Sequence, residues 1–243
     1  MDKKDFVSSL TQQFKKHNLT AHLSFEKTEA FHCLTEHLLT ENEKFNLTAI
    51  TDEHKIILLH YVDSLMLLPY LKKGAKVADI GTGAGFPALP LALCREDLTV
   101  HAFDGTDKRI RYVNETAALL GLKNLTAETM RAETGAKDPL YREKYDAVVA
   151  RGVAELRTLC EYCLPYVKVG GVFLAMKGSN AAREAQDAKR AIAMLGGKLK
   201  SVEAATLSAE GEQIQHQIVI IEKVSKTPAL YPRENNQITK KPL

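Results

Sequence analysis

Val77-Ala78-Asp79-Ile80-Gly81-Thr82-Gly83-Ala84-Gly85-Phe86-Pro87 is the stretch on which the fold turns. A short apolar strand runs into three glycines at alternate positions, and a helix is expected to begin near Phe86. Glycines at this spacing let the backbone turn tightly and approach a ligand, while the start of the helix presents free amide groups. The dinucleotide fingerprint GxGxxG needs a glycine at position 86, which is Phe here. The run is instead DxGxGxG, with Asp79 two residues before the first glycine. An acid there suits a ligand that carries an ammonium and no phosphate, and S-adenosyl-L-methionine meets both conditions. Asp79, Gly81, Gly83, Gly85 and Phe86 are therefore the first cofactor-binding candidates.

Outward from the loop, strand and helix patterns alternate. Strands are expected at Lys76 to Ile80, Thr99 to Phe103, Leu125 to Thr129, Tyr145 to Ala150 and Val172 to Met176. Helices are expected to start near Phe86, Asp107, Arg131 and Glu155, then from Asn180 to Leu195. Such alternation calls for a mostly parallel sheet with helices on both faces. Two further strands, Lys198 to Leu207 and Gln213 to Val224, joined by a turn at Ser208-Ala209-Glu210-Gly211, should pair antiparallel at one edge. The fold class is α/β, a Rossmann-like methyltransferase sheet of seven strands. Before the first strand, Phe6, Leu10, Phe14, then Phe31, Leu34, Leu38 and Leu39, recur at helical spacing, and a third helix should run from Asp52 to Leu68. The expected division is a helical extension (1–73), a catalytic domain (74–224) and an irregular basic tail (225–243) packing on or near it.

At the end of the second strand Asp104 reads as the acid that binds ribose hydroxyls, or as a turn residue in Asp104-Gly105-Thr106-Asp107. After the third strand Ala132 and Glu133 lie where an adenine ring would rest. Arg151, directly after the fourth strand, is either a ligand contact or a structural ion pair. Thirty-three basic against 30 acidic residues give a net charge of +3, too little to identify a nucleic-acid partner without placement. The stretch from Glu222 to the end holds five basic and two acidic residues, enough to account for that excess. Lys108, Arg109, Lys177 and Arg233 are the leading RNA-binding candidates, with Arg111, Lys223, Lys226, Lys240 and Lys241 behind them. Of the four cysteines only Cys160 and Cys163 lie close together, and no second pair at a matching spacing completes a metal site. No apolar run of eighteen residues and no signal-like N-terminus occurs, so a cytoplasmic protein without a membrane partner is expected.

The glycine loop, Asp104-x-x-x-Lys108-Arg109, Ala150-Arg151-Gly152-Val153-Ala154, Met176-Lys177-Gly178 and Tyr231-Pro232-Arg233 follow one another in order, preceded by Asn46-Leu47-Thr48 and His60-x-x-Asp63-Ser64. With this set the chain resembles the RsmG (GidB) family of bacterial enzymes that methylate N7 of a guanine in small-subunit (16S) ribosomal RNA. The resemblance implies S-adenosyl-L-methionine contacts at Gly81, Phe86, Ala132, Glu133 and Arg151. It also implies a partner in small-subunit RNA, free or in the intact or assembling subunit, and a monomer is favoured. Gly152, where the family usually has another small residue, and Asn235-Asn236, where it commonly has a Pro-Gly turn, depart from the pattern. Guanine N7 carries a free lone pair at neutral pH, so no general base is required. His60 and Asp63, one helical turn apart, are the pair that could act as one, or could be a packing contact. The competing readings are a small-molecule methyltransferase of the same fold and a non-catalytic, cofactor-binding ribosome assembly factor.

Overall fold

The computed structural model describes residues 1–209 and 212–243. Seven strands, β1 (Lys76–Ile80), β2 (Thr99–Asp104), β3 (Leu125–Thr129), β4 (Tyr145–Arg151), β5 (Val167–Lys177), β6 (Gly197–Ala209) and β7 (Glu212–Lys223), form one sheet. Their order is β3-β2-β1-β4-β5-β7-β6. The first five are parallel, while β7 enters antiparallel to β5 and β6 antiparallel to β7. The seven-stranded α/β architecture expected from the alternation is the one observed. Of the turn expected at Ser208-Ala209-Glu210-Gly211, Ser208 and Ala209 belong to β6, and residues 210–211 lie outside the described ones.

Side-chain alternation along the strands feeds two cores. On one face Val77, Val149, Leu174 and Ile218 meet α1 (Lys3–Lys16), α2 (Phe25–Phe45), α5 (Ala88–Cys94) and α6 (Asp107–Leu119). Phe6, Leu10 and Phe14 of α1 are completely buried there, so the N-terminal helices share a core with the sheet. On the other face Ala78, Val148, Phe173 and Ile221 meet α7 (Ala132–Gly135), α8 (Leu156–Cys163), α9 (Ala181–Asp187), α10 (Lys189–Met194) and α11 (Asn235–Lys240). Cys160 and Cys163 are free thiols packed in that second core.

Four elements differ from expectation, the first being the single helix expected from Asn180 to Leu195, which is interrupted at Ala188 between α9 and α10. The helix expected over 52–68 is capped by Asp52, whose carboxylate accepts from Lys55 N at 2.9 Å. Its middle is π-helical: α3 (Glu53–Ile56) passes into Ile57–Val62 and returns to α4 (Asp63–Leu65). The strand expected from Val172 begins at Val167, with a shift in its pairing to β4 between Tyr145 and Ala147. The tail is not irregular. Glu234 and Gln237 form a reciprocal capping box for α11, and Ile238 and Tyr231 are buried against the second core.

Candidate functional site

At the C-terminal ends of β1 to β4 a cavity of about 490 Å³ opens. Parallel α/β sheets collect ligands at this edge, where the strand order reverses between β1 and β4. Gly81, Asp104, Arg109, Ala132 and Glu133 line it, together with Gly152-Val153-Ala154 after β4. The cavity also has Thr158 and Tyr162 of α8 and, from the tail, Asn235 and Thr239. Sequence reasoning missed these last four, because they come from the core side of a helix and from a six-residue helix with one apolar anchor.

The glycine loop is built by hydrogen bonds as much as by its glycines. Gly81, Gly83 and Gly85 all adopt positive φ (76°, 60° and 85°), a region costly for other residues. A Cβ on Gly81 would meet Val153 at 2.6 Å, whereas one on Gly83 would point into open space. Gly83 N donates to Asp104 Oδ2 at 3.0 Å, and Thr106 N donates to Asp104 Oδ1 at 2.9 Å, so Asp104 ties the first and second strand ends together. Arg109 reaches the same carboxylate at 3.4 Å. Oδ1, which accepts only from Thr106 N, still has room for a hydroxyl, whereas Oδ2 already accepts from both Gly83 N and Arg109.

Asp79 lies beneath the loop, fully buried. Its Oδ2 accepts from Thr82 Oγ1 at 2.7 Å and Ala88 N at 3.2 Å, while Oδ1 has no partner. Burial lifts its carboxyl to about 7 against these hydrogen bonds. An unpartnered, buried carboxylate oxygen is costly unless something positive completes it. Two carboxylates, Asp104 and Glu133, border the cavity, and a third, Asp79, lies under the loop. This donor set fits a ligand bearing an ammonium and vicinal hydroxyls.

Phe86 and Arg151 are not brought to that cavity. They stand on the opposite sheet face, against the π-helical stretch. The ring of His60 stacks on Phe86 at 4.3 Å with an 11° interplanar angle, and the Arg151 guanidinium lies 5.6 Å from the Phe86 centroid. Arg151 Nη1 donates to Leu59 O at 2.6 Å and to Asp63 Oδ2 at 3.2 Å; Nη2 donates to His60 Nδ1 at 3.2 Å. Because a guanidinium only donates, the His60 ring proton sits on Nε2, which donates to Thr48 Oγ1 at 3.0 Å. Burial, reinforced by the Arg151 charge, pushes His60 down to about 3. Asp63 does not orient His60. It accepts from Arg151 and, at 2.8 Å through Oδ1, from His216 Nδ1, a partner 153 positions away that sequence reasoning missed.

The basic candidates fare unevenly. Lys108 is exposed, with Nζ 3.4 Å from Phe45 O, and Arg109 is half exposed at the cavity. Lys177 is held by Ala154 O and Glu184, both at 2.7 Å, and only a tenth of its side chain is exposed. Arg233 makes a two-pronged ion pair with the fully buried Glu161, through Nε at 2.9 Å and Nη2 at 2.7 Å. Lys223 is buried, donating to Leu164 O and Thr227 Oγ1, and burial pushes its ammonium down to about 8. Its position leaves no ammonium for a phosphate.

Comparison with known proteins agrees with this architecture. Residues 27–216 match the GidB family, described as rRNA small subunit methyltransferase G. The chain is 43% identical over 220 residues to the ribosomal RNA small subunit methyltransferase G of Clostridium perfringens, covering 90% of this chain and 91% of that protein. It is 41% identical over 239 residues to the protein of the same name from Desulfitobacterium hafniense, covering 98% and 97%. Among solved structures, M. jannaschii TYW2 in complex with AdoMet superposes with a TM-score of 0.53 at 17% identity, over 68% of this chain and 76% of that one. A SAM-dependent methyltransferase from Methanosarcina mazei superposes at 0.52 and 15%, over 66% and 98%. The structural likenesses concern the fold alone, but the sequence matches run almost from end to end, and the chain belongs to the GidB family, rRNA small subunit methyltransferase G.

Proposed function

We propose that the protein transfers the methyl group of S-adenosyl-L-methionine to N7 of a guanine in small-subunit (16S) ribosomal RNA. The observation that carries the reading is the end-to-end similarity to relatives named for that RNA, joined to a sheet-edge cavity whose carboxylates suit the cofactor. Asp79 Oδ1 completes the ammonium, Asp104 takes the ribose hydroxyls, and Glu133 beside Ala132 accepts from the adenine amino group. When bound, the cofactor supplies an electrophilic methyl on a sulfonium.

The chain's own part is to align the acceptor and exclude water, since the N7 lone pair attacks without prior deprotonation. The structure around His60 supports a base-free step. Its Nδ1 lone pair is taken by Arg151 and its Nε2 proton by Thr48, so it has nothing left with which to accept a proton. Arg109, half exposed on the cavity rim, and the exposed Lys108, whose Nζ lies near Phe45 O at the end of α2, are the cations assigned to RNA phosphates in this reading. Lys177 and Arg233 serve the fold instead, through Glu184 and Glu161.

The test offers tritiated S-adenosylmethionine with small subunits, deproteinised small-subunit RNA and a panel of small metabolites. Label in RNA, recovered as 7-methylguanosine after nuclease digestion, is the expected result, and the first two substrates compared show whether the assembled subunit is required. Label in a metabolite alone would overturn the reading, as would cofactor binding without transfer to any substrate.

A further inference from the structure

The His216–Asp63 pair is not used by the mechanism above. Asp63 is 1% exposed, and its two oxygens are divided between His216 and Arg151. A carboxylate only accepts, so His216 Nδ1 carries a proton toward Asp63 and the ring is fixed with Nε2 on its outer side. About a third of the His216 side chain is exposed. An imidazole oriented by a buried carboxylate, with its far nitrogen open, is a built proton-binding group.

Its location follows from the register. Arg151 pairs with Met176, and Met176 with Ile218, across β4, β5 and β7. His216 is two residues from Ile218, so it lies on the same sheet face as Arg151, just beyond the pairing of Lys177 with Gln217. The cofactor cavity occupies the ends of β1 to β4. The same edge continues over β4, β5 and β7, where His216 and Arg151 flank Asp63.

We propose that His216, oriented by Asp63, is a specificity-determining residue that donates from Nε2 to O6 of the acceptor guanine; this deepens the methyltransferase reading and rests on it. The donor exists only in the imidazolium form, since deprotonation leaves Nε2 a lone pair while Nδ1 stays bonded to Asp63. The hydrogen bond and charge of Asp63 raise the His216 pKa above its ordinary value, against burial and the nearby Arg151 charge. Those two residues are the charged groups that face it, from α4 and β4; the neutral His60 stands behind Arg151. Adenine offers an amino group at the same place, so donor would meet donor. Methylation at N7 makes the base cationic and O6 a poorer acceptor. The contact therefore strengthens binding of the unreacted base more than the transition state, and its loss appears in KM.

The test uses the full-length protein and two small-subunit RNAs joined by splinted ligation, one with guanine and one with 2-aminopurine, which keeps N7 and lacks O6, at the methylated position. With guanine RNA, His216→Ala should raise KM about tenfold or more, the loss of a charge-assisted hydrogen bond, and change the single-turnover rate at saturation far less. The wild type should suffer a similar rise with 2-aminopurine, and the variant combined with that base should lose no more than either change alone. Wild-type KM should climb as pH rises through the His216 pKa, whereas His216→Gln, whose amide donates at any pH, should keep a flat profile. Unchanged cofactor affinity in both variants serves as the folding control. If the two losses multiply, or the pH dependence survives His216→Gln, the O6 contact is wrong and His216 binds phosphate or only supports the fold. If the wild type leaves the guanine RNA unmethylated, the functional reading itself fails, and the inference with it.

Discussion

Asp104 and Asp79 carry the two residue-level expectations for cofactor binding. Asp104→Ala removes an acceptor for ribose together with the brace between Gly83 N and Thr106 N, and should weaken S-adenosylmethionine binding by roughly 1.5–3 kcal/mol. Calorimetry finding unchanged affinity would remove Asp104 from the site. For Asp79 the expectation is a proton. Burial raises its folded pKa to about 7, so the ligand-free protein holds a proton there that the unfolded chain has released. Stability contributed by this group therefore falls as pH climbs from about 4 to about 7 and is level above. A bound ammonium favours the carboxylate, so binding near pH 6.5 should release part of a proton, measurable as a dependence of the calorimetric heat on the buffer's ionisation enthalpy. Asp79→Asn should abolish that component, and a wild-type release no larger than the variant's would contradict an ammonium at Oδ1. Both aspartates were legible in the sequence because their meaning depends on neighbours along one strand and its loop. The His216–Asp63 pair was not, since nothing local announces a hydrogen bond spanning 153 positions.

Among the elements, the tail and the π-helical stretch were the least legible. Six residues of helix with one buried side chain, Ile238, are too few to show a period, and the four cations of 225–243 suggested an irregular basic tail. The helix over 53–65 did show its apolar period, but a π segment keeps apolar residues near their helical positions while widening the turn, so periodicity cannot reveal it. Arg233 carries a prediction of this scale. Glu161 is completely buried and Arg233 is its cation, so Arg233→Ala leaves an uncompensated charge inside and should cost about 3 kcal/mol in denaturant unfolding. A variant as stable as the parent would mean that the pair is dispensable. Truncation after Pro228 removes Asn235 and Thr239 from the cavity as well as cations from the surface. It should lower cofactor affinity too, in contrast to the RNA-only effect that a free basic tail would give.

At the scale of the molecule, the parallel strands were legible from the alternation of strand and helix and the antiparallel edge from the turn between the last two strands, whereas the strand order, with β7 inserted between β5 and β6, rests on contacts distant in sequence. The 1–73 boundary describes the chain more than a separable body. Phe6, Leu10 and Phe14 are buried in the core that holds Val77 and Leu174, and burying such a side chain contributes about 1.5–3 kcal/mol. We therefore expect heat to unfold the protein in one calorimetric transition, and a chain lacking 1–73 to aggregate; two resolved transitions would argue for independent units. The placement of α11 on the rim of the cavity bears on biosynthesis. Domains form from the N-terminus as the chain is made, yet two residues that line this cavity, Asn235 and Thr239, follow every strand of the sheet. A nascent copy whose α11 is still inside the ribosome that makes it therefore has its whole sheet but an unfinished cavity, and should hold the methyl donor less firmly than one in which α11 has docked.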